Sequence, residues 1–177
     1  MLNGTGVRLV AMLSLLLFGH SAATQVAPYE SPPEQLPRAL APQPVPFDHR
    51  LHARNRVTCA DCHPGAESGE RAGLPDRDGC MRCHQAIATD HPAVRALAEL
   101  SPGSRIDWVR AYRVPDFVFF SHAEHATAAV SCATCHGPVS TRSILGQEVS
   151  TNMVACMNCH AEMQASNECY LCHDLGQ

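Results

Sequence analysis

The 177-residue chain predicts a mostly irregular fold with short α-helices, arranged as two related units around bound prosthetic groups rather than around a polypeptide core. Three observations predict it. The motif Cys-x-x-Cys-His recurs five times, at Cys59–His63, Cys80–His84, Cys132–His136, Cys156–His160 and Cys169–His173. Two segments, FDHRLHARNRVTCADCH (47–63) and FSHAEHATAAVSCATCH (120–136), align without a gap at an offset of 73. Aromatic residues make up only 5% of the chain. With roughly 30 residues per motif after the leader, each unit is below the size that builds a core without staples or cofactors.

Each motif points to one chemistry. All ten cysteines fall in the five motifs: Cys59, Cys62, Cys80, Cys83, Cys132, Cys135, Cys156, Cys159, Cys169 and Cys172. Cys-x-x-Cys-His is the attachment signature of c-type haem. Two thiols two residues apart reach both vinyl groups on one side of a porphyrin, and the adjacent histidine turns its imidazole onto the iron. Five disulfides would suit a small exported protein, but leave the histidine after every second cysteine unexplained. Zinc ribbons pair Cys-x-x-Cys without needing that histidine. A thioredoxin-like redox motif is single and set in a βαβ pattern. The expected cofactors are therefore five covalently bound haem c groups.

The histidine count sharpens the expectation. Of eleven histidines, His20 lies in the N-terminal segment, and His63, His84, His136, His160 and His173 belong to the motifs. Five remain, His49, His52, His91, His122 and His125, enough to give every iron a second histidine. Met81, Met153, Met157 and Met163 are read as packing at haem edges, although a methionine ligand would raise a potential. The chain has no lysine, so a Cys-x-x-Cys-Lys site has no residue to build on. The formal net charge is −4 before haem propionates are counted. Propionates paired with arginine would offset part of their own charge. An acidic surface argues against nucleic acid and fits a basic redox partner.

In chain order, residues 1–23 read as an export signal: Arg8, an apolar run from Leu9 to Phe18, then Ser21-Ala22-Ala23 as a small-residue cleavage site. The run is too short to span a bilayer, which takes about 20 residues; an uncleaved anchor is the alternative. Residues 24–46 hold seven of the thirteen prolines and read as an extended, mobile linker. The haem domain is expected over 47–177. Its first unit, 47–100, opens with a short helix or turn at Phe47–His52, where His49 and His52 share one helical face. Pro64-Gly65 turns the chain, and 65–79 is a loop. The clearest helix has Asp90 or His91 as its cap candidate, Pro92 near its first turn, and a stop at Ser101-Pro102-Gly103. A strap, 101–119, carries Trp108, Tyr112, Phe117 and Phe119, read as packing, with Val114-Pro115 breaking any helix. The second unit, 120–177, holds the last three motifs.

The repeated F-x-H-x-x-H…C-x-x-C-H pattern resembles that of the class III (c3-type) multihaem cytochromes c. The resemblance implies that the first histidine of each pair serves the motif that follows it and the second serves a later one. His49 and His52 would then serve the first and second haems, and His122 and His125 the third and fourth. His91 is left for the fifth by elimination, and His52, His91 and His125 are open to permutation. The stretch RIDWVRAYRVPDFVFFSHAEHATAAVSCATCHGPVS (105–140) is also similar to the corresponding run in the pentahaem subunit of alternative complex III and of membrane quinone-reductase complexes.

The function expected is that of a periplasmic pentahaem electron carrier that works between redox protein partners and has no catalysis of its own. One alternative is a haem subunit of a membrane-bound quinol-oxidising complex, in stable contact with it. The other is a multihaem reductase with one open haem, which the closed histidine count disfavours because bis-histidine irons leave a substrate no coordination position.

Overall fold

The computed structural model describes residues 34–175, together with Met1, Pro28 and Glu30. The expected export signal, apart from Met1, and residues 24–27, 29 and 31–33 of the expected linker lie outside the described residues. The fold is mostly irregular, with eight short α-helices, one 3-10 turn (Val139–Thr141) and a pair of two-residue strands among the described residues. Helices α1 (His49–Arg54), α2 (Cys59–Cys62), α3 (Arg77–His84) and α4 (Pro92–Glu99) form the first unit. Helices α5 (His122–Thr127), α6 (Cys132–His136), α7 (Met153–Glu162) and α8 (Cys169–Cys172) form the second.

Side-chain caps set where most of these helices begin. Asp48 accepts from the Leu51 N–H at 2.9 Å, and Ser121 accepts from the Glu124 N–H at 3.3 Å. Both α1 and α5 then end on a residue in the left-handed region, Arg56 (φ 64°) and Ala129 (φ 56°). Those two positions are 73 apart, so the sequence repeat is also a backbone repeat.

A second repeat emerges in the fold at an offset of 76. Asp76 caps α3 by accepting from the Gly79 N–H at 2.7 Å, and Asn152 caps α7 by accepting from the Ala155 N–H at 2.9 Å. Each helix then carries a Cys-Met-x-Cys-His motif and gives way four residues later to a left-handed residue, Ala88 (φ 54°) or Gln164 (φ 56°). The two units are therefore duplicated through α1–α3 and α5–α7. They diverge after that, where α4 follows in the first and α8 in the second.

The polypeptide core is small. Among the described residues only Val94 and Leu97, both on α4, are buried hydrophobics, whereas Phe117, Phe119, Tyr170 and Leu171 are more than half or about half exposed. A chain that buries this little of its own apolar surface relies on a prosthetic group to supply apolar mass.

Within the expected extended, mobile linker, 24–46, Arg38–Ala39 (β1) pairs antiparallel with Gly146–Gln147 (β2) of the second unit. Gln43 also exchanges two hydrogen bonds of 3.0 Å with the backbone of Val109. Unpaired strand edges and side-chain amides gain partners this way, so the end of the linker is tied to the haem domain. Among the described residues no helix is long and apolar enough to cross a membrane.

Candidate functional site

The short helices hold the histidines in facing pairs. The rings of His52 and His84 stand 6.1 Å apart, those of His122 and His136 6.4 Å, and those of His125 and His160 6.1 Å. His63 lies close enough to His49 to help lower its pKa. A ring nitrogen binds a first-row metal at about 2 Å and lies about 1 Å from its own ring centre, so two axial imidazoles place their centres about 6 Å apart. The three measured separations meet that requirement. Ten of the eleven histidines are described, and nine of these ten, all but His91, are half-buried.

The protonation of these rings is fixed by their partners. The Nδ1 atom of His52 lies 2.8 Å from the Asp48 carbonyl, and that of His125 lies 2.8 Å from the Ser121 carbonyl. His63 faces the Gly73 carbonyl at 2.7 Å, and His84 faces Ile87 at 2.9 Å. His122 faces Glu70 and His160 faces Ser166, both at 2.9 Å. A carbonyl only accepts, so each Nδ1 carries the proton and each Nε2 keeps a free lone pair. This is the arrangement that orients a metal-binding histidine and raises its basicity. Burial, followed by the neighbouring His63 and His52, pushes the pKa of His49 down to about 4. Burial, then His122 and His63, lowers that of His136. These two rings are thus neutral, as a ligand must be.

Phenylalanines clamp the paired histidines of each repeat. Phe47 stacks on His52 at 4.3 Å and meets His49 edge-on at 4.7 Å. Phe120 does the same to His125 at 4.7 Å and to His122 at 4.8 Å. Each phenyl thereby holds its two histidines at a fixed divergence, which lets them serve two different sites. The strap aromatics act as packing. Trp108 donates to the Pro75 carbonyl at 2.7 Å, and the Tyr112 hydroxyl accepts from the N–H groups of Glu148 (2.9 Å) and Val149 (3.2 Å). The Tyr112 ring lies edge-on to His136 at 4.7 Å.

All ten thiols are free. Among the described residues no three His, Cys, Asp or Glu side chains converge as a closed tetrahedral metal site requires. Burial raises the pKa values of five thiols, and the smaller causes show which thiols are neighbours. Cys62 and Cys80 perturb each other's motifs, and Cys83 acts on Cys62. Cys132 acts on Cys59. Cys135 lies beside Cys159, and Cys156 beside both Cys135 and Cys172. Numbering the motifs in chain order, the attachment sites therefore run second, first, third, fourth, fifth. Backbone contacts agree with that order. Arg82 donates to the Asp61 carbonyl, the N–H of His122 donates to the Glu70 carbonyl at 3.2 Å, and Asn167 donates to the Met157 carbonyl at 3.0 Å.

The remaining pair from the sequence is not brought together. His91 caps α4, with its Nδ1 accepting from the Ala93 N–H at 3.3 Å. His173 has Phe117 as its ring neighbour at 6.1 Å. The Nδ1 partners are signals that sequence reasoning missed, because they are backbone carbonyls and carry no residue identity.

The donor set fits covalent haem: each motif offers two thiols and a motif histidine, three sites add a facing histidine, and at the first site His49 lies near His63. The class III cytochrome c family matches residues 25–99 of the chain. The chain is also 30% identical over 160 residues to the multihaem cytochrome c subunit of a menaquinone reductase from Nitratidesulfovibrio vulgaris (strain Hildenborough), covering 74% of this chain and 76% of that protein.

Proposed function

Because the chain belongs to the class III multihaem cytochromes c, electron carriers with covalently bound haem c rather than catalysts, we propose that it is a periplasmic pentahaem relay between a redox protein and a quinone-linked membrane complex. The observation that carries this reading is the set of facing histidine pairs, spaced for iron and strung along neighbouring thiols. Haem c, when bound, supplies a one-electron couple at each site. The residues supply the rest. The ten cysteines anchor, His63, His84, His136, His160 and His173 bind on the motif side, and His49, His52, His122 and His125 bind opposite the first four. Bis-histidine irons have no open position, which suits transfer and not substrate chemistry.

Export of the chain by residues 1–23, with 24–46 as a tether to the domain at 47–177, fits the attachment of c-type haem outside the cytoplasm. The likeness to a menaquinone reductase subunit over three quarters of its length favours stable membership of such a complex over free diffusion. That protein is named for reducing a quinone, the reverse of the quinol oxidation in the alternative read from the sequence. Electrons pass along the relay in whichever direction the partners' potentials set.

The test is haem quantification by pyridine haemochrome together with the intact mass of the exported protein. Five haems per chain and a mature N-terminus near Ala23 are expected. Fewer than five would sink the pentahaem reading. Mild-detergent co-purification with quinone-active membrane subunits is expected, and elution as a lone soluble protein would return it to a free carrier.

A further inference from the structure

The sequence count gives His91 to the fifth site, and the structure separates the two in three independent ways. The first is tautomer. Six other histidines in the set donate from Nδ1 to a carbonyl and leave Nε2 free. His91 does the opposite: its Nδ1 accepts from the Ala93 N–H. In neutral His91 the proton is therefore on Nε2, and the one lone pair is already occupied by the cap. Ligating through Nε2 would force that ring to move its proton and give up the start of α4.

The second is position. α4 packs on α3 through Val94 and Leu97, and Gly103 beyond it donates to Asp78 of α3 at 2.8 Å. His91 thus belongs with the Cys80–His84 motif, whose facing ring is already His52. His173 lies at the other extreme. Phe119 donates to the Cys172 carbonyl at 2.8 Å, and Val118 bridges to His173. Along the row of attachment sites, the first, third and fourth stand between them. The duplication gives the same result. At the offset of 76, His91 corresponds to Asn167, the residue that leads into the fifth motif, so His91 and that motif occupy equivalent places in opposite units.

The third is burial. His91 is the exposed member of the ten described histidines, and the ring beside His173 is Phe117, which has no lone pair to offer iron.

We propose that the haem on Cys169, Cys172 and His173 takes no second histidine from this chain, and that His91 is a helix cap at the opposite end of the relay. The inference rests on the pentahaem reading above. The terminal site then differs in kind from the other four: its sixth position is open or filled by a non-histidine group. That gives the row one end with its own potential and spectrum.

The experiment uses the haem-loaded full-length protein. Haem is first counted by pyridine haemochrome, which tests the pentahaem reading separately. Low-temperature EPR and near-infrared magnetic circular dichroism then assign the axial ligands. With five haems present, four bis-histidine low-spin centres and one centre of another type are expected. Five bis-histidine centres would overturn the proposal. His91→Asn keeps a good cap, because asparagine accepts the same N–H, but removes the imidazole. Its spectra are expected to match those of the parent, whereas His125→Asn should convert about one centre in five to high spin. Loss of a low-spin centre in His91→Asn, whether its imidazole reaches the fifth site within the chain or from a second copy, would also overturn it.

Discussion

In the first repeat the Nδ1 of His49 is buried without a hydrogen-bond partner, whereas in the second the Nδ1 of His122 donates to the Glu70 carbonyl at 2.9 Å. Around both histidines the local frame is the same. A phenyl clamps each pair, and the second histidine of each donates to the cap residue's carbonyl at 2.8 Å. Each frame ends on a left-handed residue at the equivalent position. The difference comes from outside the repeat. The loop after the first motif reaches across and gives its Gly69 and Glu70 carbonyls to the start of α5. Local sequence thus sets where a ligand stands, and the contact between units sets how strongly it donates. A donated Nδ1 proton makes an imidazole more basic, which favours ferric iron and lowers the potential. At the first site it is the motif histidine, His63, that donates, to the Gly73 carbonyl at 2.7 Å, so the same loop tunes one ligand of each site.

The strongest way to break this comparison is to remove the ligands themselves. His49→Asn and His122→Asn should each convert one low-spin haem to high spin and raise its midpoint by on the order of 100 mV. EPR and spectroelectrochemistry read both, and the same variant losing two centres would mean that the pairs are assigned wrongly. Gly65→Ala tests the shared loop. A Cβ there would lie 2.0 Å from the Arg71 carbonyl oxygen, so the backbone has to shift. That loop supplies both the Gly73 carbonyl for His63 and the Glu70 carbonyl for His122. Destabilisation of about 1–3 kcal/mol is expected, with the first and third potentials rising together. A shift confined to the first site would disprove the cross-unit link.

Two smaller effects sharpen the account. Tyr112→Phe removes the hydroxyl that accepts from Glu148 and Val149 and keeps the ring against His136. It should lower stability by about 1 kcal/mol in a denaturant titration and leave spin states unchanged. Glu148→Gln has the smallest effect. The hydrogen bond from Arg142 holds the Glu148 carboxyl below its ordinary range. A depressed folded pKa means that the stabilisation is present above the ordinary carboxylate pKa and fades as pH falls through the folded value. The melting-temperature gap between parent and variant should therefore be constant near neutrality and close in acid.

Much of the site was legible in the residues. The five motifs, the repeat at offset 73 and the expected helix after His91 all reappear, because thiol spacing and capping chemistry are written in residue types. The repeat at offset 76 was not, since Asp76 and Asn152, Gly79 and Ala155, and Ala88 and Gln164 do the same work with different side chains. The order of the sites depends on tertiary contact, as does the docking of Arg38–Ala39 onto the second unit. The histidine count assigned His91 by arithmetic. What that arithmetic omits is that the ring's lone pair is already engaged by Ala93.

The most direct test is a crystal structure of the haem-loaded protein with the irons located by anomalous scattering. The account predicts five irons in the order second, first, third, fourth, fifth, with His49, His52, His122 and His125 opposite the motif histidines of the first four. An iron at Cys80–His84 neighbouring the iron at Cys169–His173, or any of the four pairs exchanged, would contradict it.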